Sequence, residues 1–414
     1  MTRRRHSYPA LVLSCFLLGT IPSLLWSPTS AEGQTTPVLT WSGEVRPRLY
    51  GREPVQNDWD HWISMRTRLG LDARLPQGIG LFIQVQDVRF WGEELSNRDR
   101  SADAVDFHQA YLEVGSVPGV GGLIRAGRQE VQLGEGRLIS APDWGQGGQS
   151  FDGVQWIRPF EAGHVNVLYL RLQEGTTLDH EFSADFTAAW MSLGVGPNGS
   201  LDFLGIHDRT GEPDGTSQTT LGSTVKGGSG PFDFKLQGLY QFGEREGVDV
   251  SAHMVAVSGG VEVMEGRGKV TLWYDHLSGG EEPGAGPGDG ELGSFSTLYG
   301  ARHRFFGRGD YFLDIPRDTD NLGLRDAALK LTFSPTPLLR MNLDLHAFST
   351  AEKGPLSSQT LAQEADIWIQ YRFRDALNLE AGYALTFAGD AMEELGLLEG
   401  TGNVAYLMSS FSFR

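Results

Sequence analysis

The sequence predicts an all-β fold, a transmembrane antiparallel β-barrel of about 18 strands (roughly 16 to 20) with short periplasmic turns and long extracellular loops. Three observations predict it. Apolar and polar residues alternate with period two along most of the chain, while helical periodicity is scarce. Glycine is abundant, 55 of 414 residues, which is about 13 % against a usual value of roughly 7 %. Short polar turns at 75–80, 116–122 and 334–338 are interleaved with long polar segments at 92–104, 132–150, 278–294, 308–324 and 350–362.

Other classes are excluded by composition. No stretch beyond the amino-terminal segment approaches the ~20 consecutive apolar residues of a membrane-spanning helix. The glycines have no period of three, which excludes collagen. With 10 Trp, 11 Tyr and 22 Phe the chain is too aromatic for a solvated, disordered one. No nucleic-acid partner is expected at a net charge of −18.

Residues 1–31 read as a secretory signal. Arg3, Arg4 and Arg5 precede an apolar run from Ala10 to Trp26, and Thr29-Ser30-Ala31 offers a small-residue cleavage site. Removing this segment with its three arginines takes the net charge from −18 to −21. Cys15, the only cysteine, lies within it, so the mature chain has neither disulfides nor thiol chemistry. Residues 32–414 are then expected to form a single barrel domain in the outer membrane of a Gram-negative-type bacterium.

Twenty segments have strand character: 40–50, 61–75, 79–90, 105–115, 122–131, 152–159, 163–173, 181–191, 199–208, 219–227, 231–243, 249–258, 261–265, 267–277, 295–306, 325–334, 340–349, 364–374, 377–388 and 403–413. In 61–75, Ile63, Met65, Leu69, Leu71 and Leu75 share one face, and Ser64, Arg66, Arg68, Asp72 and Arg74 the other. Residues 40–50 set Trp41, Val45 and Leu49 against Glu44, Arg46 and Arg48. Residues 340–348 set Met341, Leu343 and Leu345 against Asn342, Asp344 and His346, and 364–373 set Ile367, Ile369 and Tyr371 against Glu364, Asp366 and Gln370. Phe411 and Phe413 close the chain on one face of its last strand, as outer-membrane barrels end, although Arg414 follows.

Five of the 34 basic residues are lysine, leaving 29 arginines. Reversing the register of 61–75 would put Arg66, Arg68, Arg74 and Asp72 into lipid, at roughly 2–4 kcal/mol per midplane arginine. Arg46, Arg48, Arg66, Arg68 and Arg74 are therefore expected to face the lumen. Guanidinium groups remain charged and bind carboxylates through two parallel hydrogen bonds. They form either a path for anionic solutes or a set of ion pairs that solvates a wide pore. The acidic excess sits apart, in or beside loops carrying Glu93, Glu94, Asp99, Asp103 and Asp106, then Glu281, Glu282, Asp289 and Glu291, then Asp390, Glu393, Glu394 and Glu399. No enzyme is expected: there is no Gly-x-Ser-x-Gly elbow, the ten histidines lack metal-ligand spacing, and no catalytic residue, metal or cofactor is assigned.

One stretch is more specific. Residues 125–131 read Arg-Ala-Gly-Arg-Gln-Glu-Val, followed by Gly136-Arg137-Leu138-Ile139, Asp143-Trp144 and Phe151-Asp152-Gly153. Further on come Tyr274-Asp275, Ser278-Gly279, Leu298-Tyr299, His303, Phe305-Phe306-Gly307, Asp310 and Gly323-Leu324-Arg325-Asp326. This pattern resembles the alginate export family of outer-membrane porins over roughly 41–413, with Gly280 where the family has a loop aspartate. The resemblance implies an 18-stranded barrel passing an anionic polyuronate through an arginine-rich constriction formed by Arg125, Arg128, Glu130, Arg137, Asp143 and Asp152. In a regular strand Arg125 and Gln129 share one face and Arg128 and Glu130 the other, so both pairs face the lumen only if the strand ends near Gly127 or bulges. The partners implied are outer-membrane lipids, anionic polysaccharide or small anionic solutes, and periplasmic export or synthesis proteins. A non-conducting adhesive barrel working through its acidic loops is the alternative.

Overall fold

The computed structural model describes residues 36–55, 58–92, 105–115, 119–173, 184–211, 215–280 and 290–414. The expected signal with Cys15, and the acidic stretches 93–104 and 281–289, lie outside the described residues. The strands are β1 (Val38–Val55), β2 (Asp58–Leu75), β3 (Ile79–Phe90), β4 (Asp106–Gly115), β5 (Leu123–Gln129), β6 (Phe151–Phe160), β7 (Gly163–Gln173), β8 (Ala184–Val195), β9 (Gly199–Thr210) and β10 (Ser217–Ser229). They continue as β11 (Phe232–Arg245), β12 (Val248–Val263), β13 (Gly268–Leu277), β14 (Glu291–Leu292), β15 (Leu324–Thr336), β16 (Leu339–Ser349), β17 (Thr360–Phe373), β18 (Leu377–Ala388) and β19 (Thr401–Phe413). Neighbours in sequence pair antiparallel, and β1 closes the ring on β19 from Gly43 opposite Phe413 to Glu53 opposite Asn403. The two-residue β14 pairs parallel with β12 and stands apart from the wall, with β13 pairing directly to β15. The wall is thus a closed antiparallel barrel of 18 strands. No described helix is long and apolar enough to cross a membrane.

Two of the twenty expected segments account for the difference. Residues 249–258 and 261–265 are one strand, β12, whose Gly259-Gly260 reads in sequence as a turn. Residues 295–306 alternate like a strand but lie off the wall, because their partner is another loop.

Side-chain period sets inside against outside. On β1 and β2, Arg46, Arg48, Ser64, Arg66 and Arg68 are buried, whereas Trp41, Val45, Leu49 and Leu69 are exposed. The same holds around the ring, where Phe203, Leu221, Phe234, Leu272, Ile367, Leu407 and Phe411 form an exposed apolar outer face. A barrel in lipid requires this arrangement, since every backbone group pairs within the wall and apolar side chains meet acyl chains. The end that holds both chain termini has short connections such as 161–162, 230–231 and 337–338, and is periplasmic by the barrel rule. The opposite end has the long ones, 130–150, 278–323, 350–359 and 389–400, with 56–57 and 246–247 as short exceptions.

The long connections fold into the barrel. Leu133, Leu138 and Ile139 from the first, and Phe295, Phe305, Phe306, Phe312 and Ile315 from the second, pack in one buried cluster. Inward-facing Leu168, Leu170, Phe186, Ile206, Met254 and Ala256 of the wall complete it. β12 is consequently apolar on both faces, with Met254 and Ala256 toward the loops and Val255 and Val257 toward lipid. Met392 and Leu398, beside the short α1 (Asp390–Glu394), join the cluster from the last loop.

Candidate channel constriction

Segment 130–150 crosses the lumen and returns, held at each stage by a wall residue. Glu130, just past β5, accepts from His108 Nε2 at 2.7 Å and lies 3.4 Å from Arg68. Glu135 reaches the far wall, 2.6 Å from Lys235 of β11 and 3.3 Å from Lys226 of β10. Burial opposes ionisation of Glu135, but the two lysines outweigh it and lower its pKa to about 2. Arg137 makes a bidentate pair with Asp275 of β13, Nη1 to Oδ2 at 2.7 Å and Nη2 to Oδ1 at 2.8 Å, both side chains being buried. The chain then returns to the near wall.

At that wall Asp143 is gripped by arginines. Its carboxylate lies 2.9 Å from Arg46 and 2.7 Å from Arg66, with Arg68 at 3.9 Å. Arg46 also donates to the Asp143 and Gly145 carbonyls at 2.6 and 3.0 Å and to Gln146 Oε1 at 3.0 Å. Arg48 donates to the Trp144 carbonyl at 2.7 Å. Glu44 supplies a second acceptor for Arg66 at 2.6 Å. Burial pushes the Asp143 carboxyl up, yet Arg46 and Arg66 dominate and hold it below its usual range, so it is ionised at neutral pH. The arginines are buried, but the Asp143 side chain is 64 % exposed, so the open side of this segment presents a carboxylate backed by three guanidiniums.

The second infolded segment is joined to the first. Ser140 N–H donates to the Tyr299 carbonyl at 3.1 Å, and Tyr299 and Ala301 N–H donate to the Leu138 and Gly136 carbonyls, each at 2.9 Å. Gly300 sits against the Arg137 carbonyl so tightly that a Cβ would overlap it. Trp144 stacks on His303 at 3.9 Å and 6°, and its Nε1 donates to Asp310 at 3.2 Å while His303 Nδ1 donates to the same carboxylate at 2.6 Å. Burial holds His303 below its ordinary pKa despite Asp310, so its ring is neutral at pH 7. Arg308 reaches Tyr406 Oη at 2.7 Å and lies over the Trp368 ring at 3.9 Å, while Gly309 N–H donates to Glu364 at 3.0 Å. Because backbone carbonyls rather than flexible side chains oppose it, Gly300→Ala should part the two segments. Overpacking of this kind costs about 1–3 kcal/mol; a lower midpoint for heat-modified electrophoretic mobility checks it.

The expected site residues divide into three groups. Arg46, Arg48, Arg66, Arg68, Glu130, Arg137 and Asp143 are brought together on the infolded segment and its anchors. Arg74 and Arg125 stand apart, toward the short-turn end, sharing Glu113, which Arg125 approaches at 2.7 Å and Arg74 also pairs with. Arg128 and Asp152 correct the expectation. β5 runs in regular register past Gly127, with Arg125 opposite Gln155 and Arg128 opposite Asp152, so this pair faces out of the barrel beside exposed Val154. Neither a strand end at Gly127 nor a bulge intervenes, and only Glu130, beyond the strand, turns inward. Glu44, expected on the arginine face, pairs with Arg66 at 2.6 Å, whereas sequence reasoning missed Glu135, His108 and Arg308. Only the opposite charge of Glu135 to Lys226 and Lys235 hinted at its role.

The chain matches the family model described as Alginate export over residues 51–397. No curated protein matches it in sequence. Among solved structures it is similar to OpdL of Pseudomonas aeruginosa (TM-score 0.65, 12 % identity, 91 % of this chain and 98 % of that one). It is likewise similar to OpdO of the same organism (TM-score 0.63, 14 %, 91 % and 97 %) and to its outer membrane protein opdK (TM-score 0.59, 12 %, 90 % and 98 %). At such identities the likeness is one of fold, that of the outer-membrane β-barrels. With the family model covering most of its length, the chain belongs to the alginate export family of outer-membrane barrel channels.

Proposed function

We propose that this barrel is a passive outer-membrane channel for anionic solutes, with carboxylate-bearing chains such as polyuronates as the favoured class. The observation that carries the reading is the Asp143 face, where Arg46, Arg66 and Arg68 surround one ionised, lumen-exposed carboxylate. Arg74 and Arg125 add two partly exposed guanidiniums on the same side of the ring. A carboxylate passing this wall meets the Arg74 and Arg125 guanidiniums, which Glu113 holds in position, while the buried Arg46, Arg66 and Arg68 act on it through their charge. In this reading outer-membrane lipids surround the barrel, and periplasmic export or synthesis proteins deliver the chain to its short-turn end. The test is current block in a planar bilayer: micromolar oligouronate on one side should interrupt the current, and a neutral oligosaccharide of equal length should not. Equal block by both overturns the anionic preference. Absence of any conductance favours the adhesive alternative, which the close packing of the infolded loops keeps in play.

A further inference from the structure

The outward turn of Arg128 and Asp152 is part of a longer pattern. Five residues on five neighbouring strands stand directly opposite one another on the outer face: Arg128 of β5, Asp152 of β6, Arg171 of β7, Asp185 of β8 and Arg209 of β9. Charge alternates at every step. The row lies at the strand ends nearest the long loops, immediately above exposed Val154 and Tyr169, with exposed Val167 and Phe203 further down the wall. Arg128 is 3.0 Å from Asp152 and 3.9 Å from Asp106, Arg171 is 2.5 Å from Asp185, and Tyr169 Oη donates to Asp185 at 2.6 Å.

A boundary between hydrocarbon and water runs all the way round a barrel, yet this row does not. Near the same ends of β16 to β19 the outward neighbours are Ala347, Gln363, Phe387 and Thr401, all uncharged. Beyond Arg209 the register passes to Ser217, Glu244 and Asp249, which add acid but no arginine, so it is the strand-by-strand alternation of arginine with carboxylate, and not charge as such, that marks this arc. Strands lie ~4.8 Å apart, so the guanidiniums repeat about every 10 Å along the arc. The two outer ones retain donor capacity. The Arg128 side chain is 37 % exposed, and Arg209 is exposed and makes no ion pair among the described residues.

We propose that this arc binds the phosphorylated headgroup of an outer-leaflet glycolipid, with Arg128 and Arg209 taking phosphate oxygens. Asp152 and Asp185 hold the row extended along the wall, and the apolar face beneath receives the acyl chains. Phosphate at a guanidinium is a charge-assisted, commonly bidentate contact, strongest where lipid lowers the dielectric.

Native mass spectrometry of the detergent-purified protein tests this with diphosphorylated lipid A, the same lipid dephosphorylated, and inorganic phosphate. The wild type should retain the phosphorylated lipid at least about tenfold better than the dephosphorylated one, and millimolar phosphate alone should not displace it. Arg128→Gln with Arg209→Gln should abolish the preference, and Arg128→Lys with Arg209→Lys should keep most of it. Equal retention of both lipids by the wild type overturns the proposal without reference to any variant. Displacement by free phosphate, or a glutamine variant whose only change is its oligomeric state, overturns it as well.

Discussion

Asp275→Ala should release the infolded segment from the far wall and produce the largest loss of stability of any single substitution in the lumen. The change leaves the Arg137 guanidinium buried and unpaired among Phe305, 4.3 Å from the ring centroid, and Trp273 at 5.2 Å. Removing one partner of a buried ion pair costs about 3–5 kcal/mol, because the remaining charge is still desolvated. Single-channel records should show a larger, noisier open current, and the midpoint of heat-modified mobility should fall. Replacing both partners, Arg137→Met with Asp275→Leu, should recover most of the midpoint, since apolar groups of similar volume carry no such penalty. An Asp275→Ala protein with unchanged current and midpoint would mean that the pair does not hold the loop.

Asp143→Asn is the second substitution with a large expected effect, and it acts on selectivity. The amide retains an acceptor for Arg46 and Arg66 but removes the one negative charge that three guanidiniums share. A unit charge ~6 Å from a solute path contributes on the order of 0.5–1 kcal/mol in a water-like medium. The anion-to-cation permeability ratio should therefore rise roughly two- to fivefold. Arg46→Gln with Arg66→Gln should move it the other way and loosen the segment, because Asp143 and Glu44 then lack their main partners. An unchanged ratio in Asp143→Asn would show that solutes do not pass this face.

Strand-level organisation was legible in the sequence because lipid on one side and charge on the other enforce period two. Arg66 and Arg68 could face only the lumen, and they do. The sequence was silent where a second partner appears. β12 meets lipid outside and infolded loops inside, so both faces are apolar and its alternation vanishes. Residues 295–306 alternate because they lie extended against 136–140 and the wall, which a single-strand pattern cannot distinguish from a barrel strand. The site was legible by residue type but not by pairing. Arginine on β1 and β2 pointed to a charged lumen, whereas its capture by Asp143, about a hundred residues away in sequence, is a long-range contact with no local signature. Arg128 was assigned inward from its motif although its parity with Arg125 placed it outward, and parity prevailed.

Whether the arginine-pinned segment makes an anion-preferring constriction is tested most directly by the reversal potential. With the wild-type protein in a planar bilayer under a tenfold potassium chloride gradient, the zero-current potential should take the sign set by chloride. A potential at zero, or one of the sign set by potassium, would contradict the account.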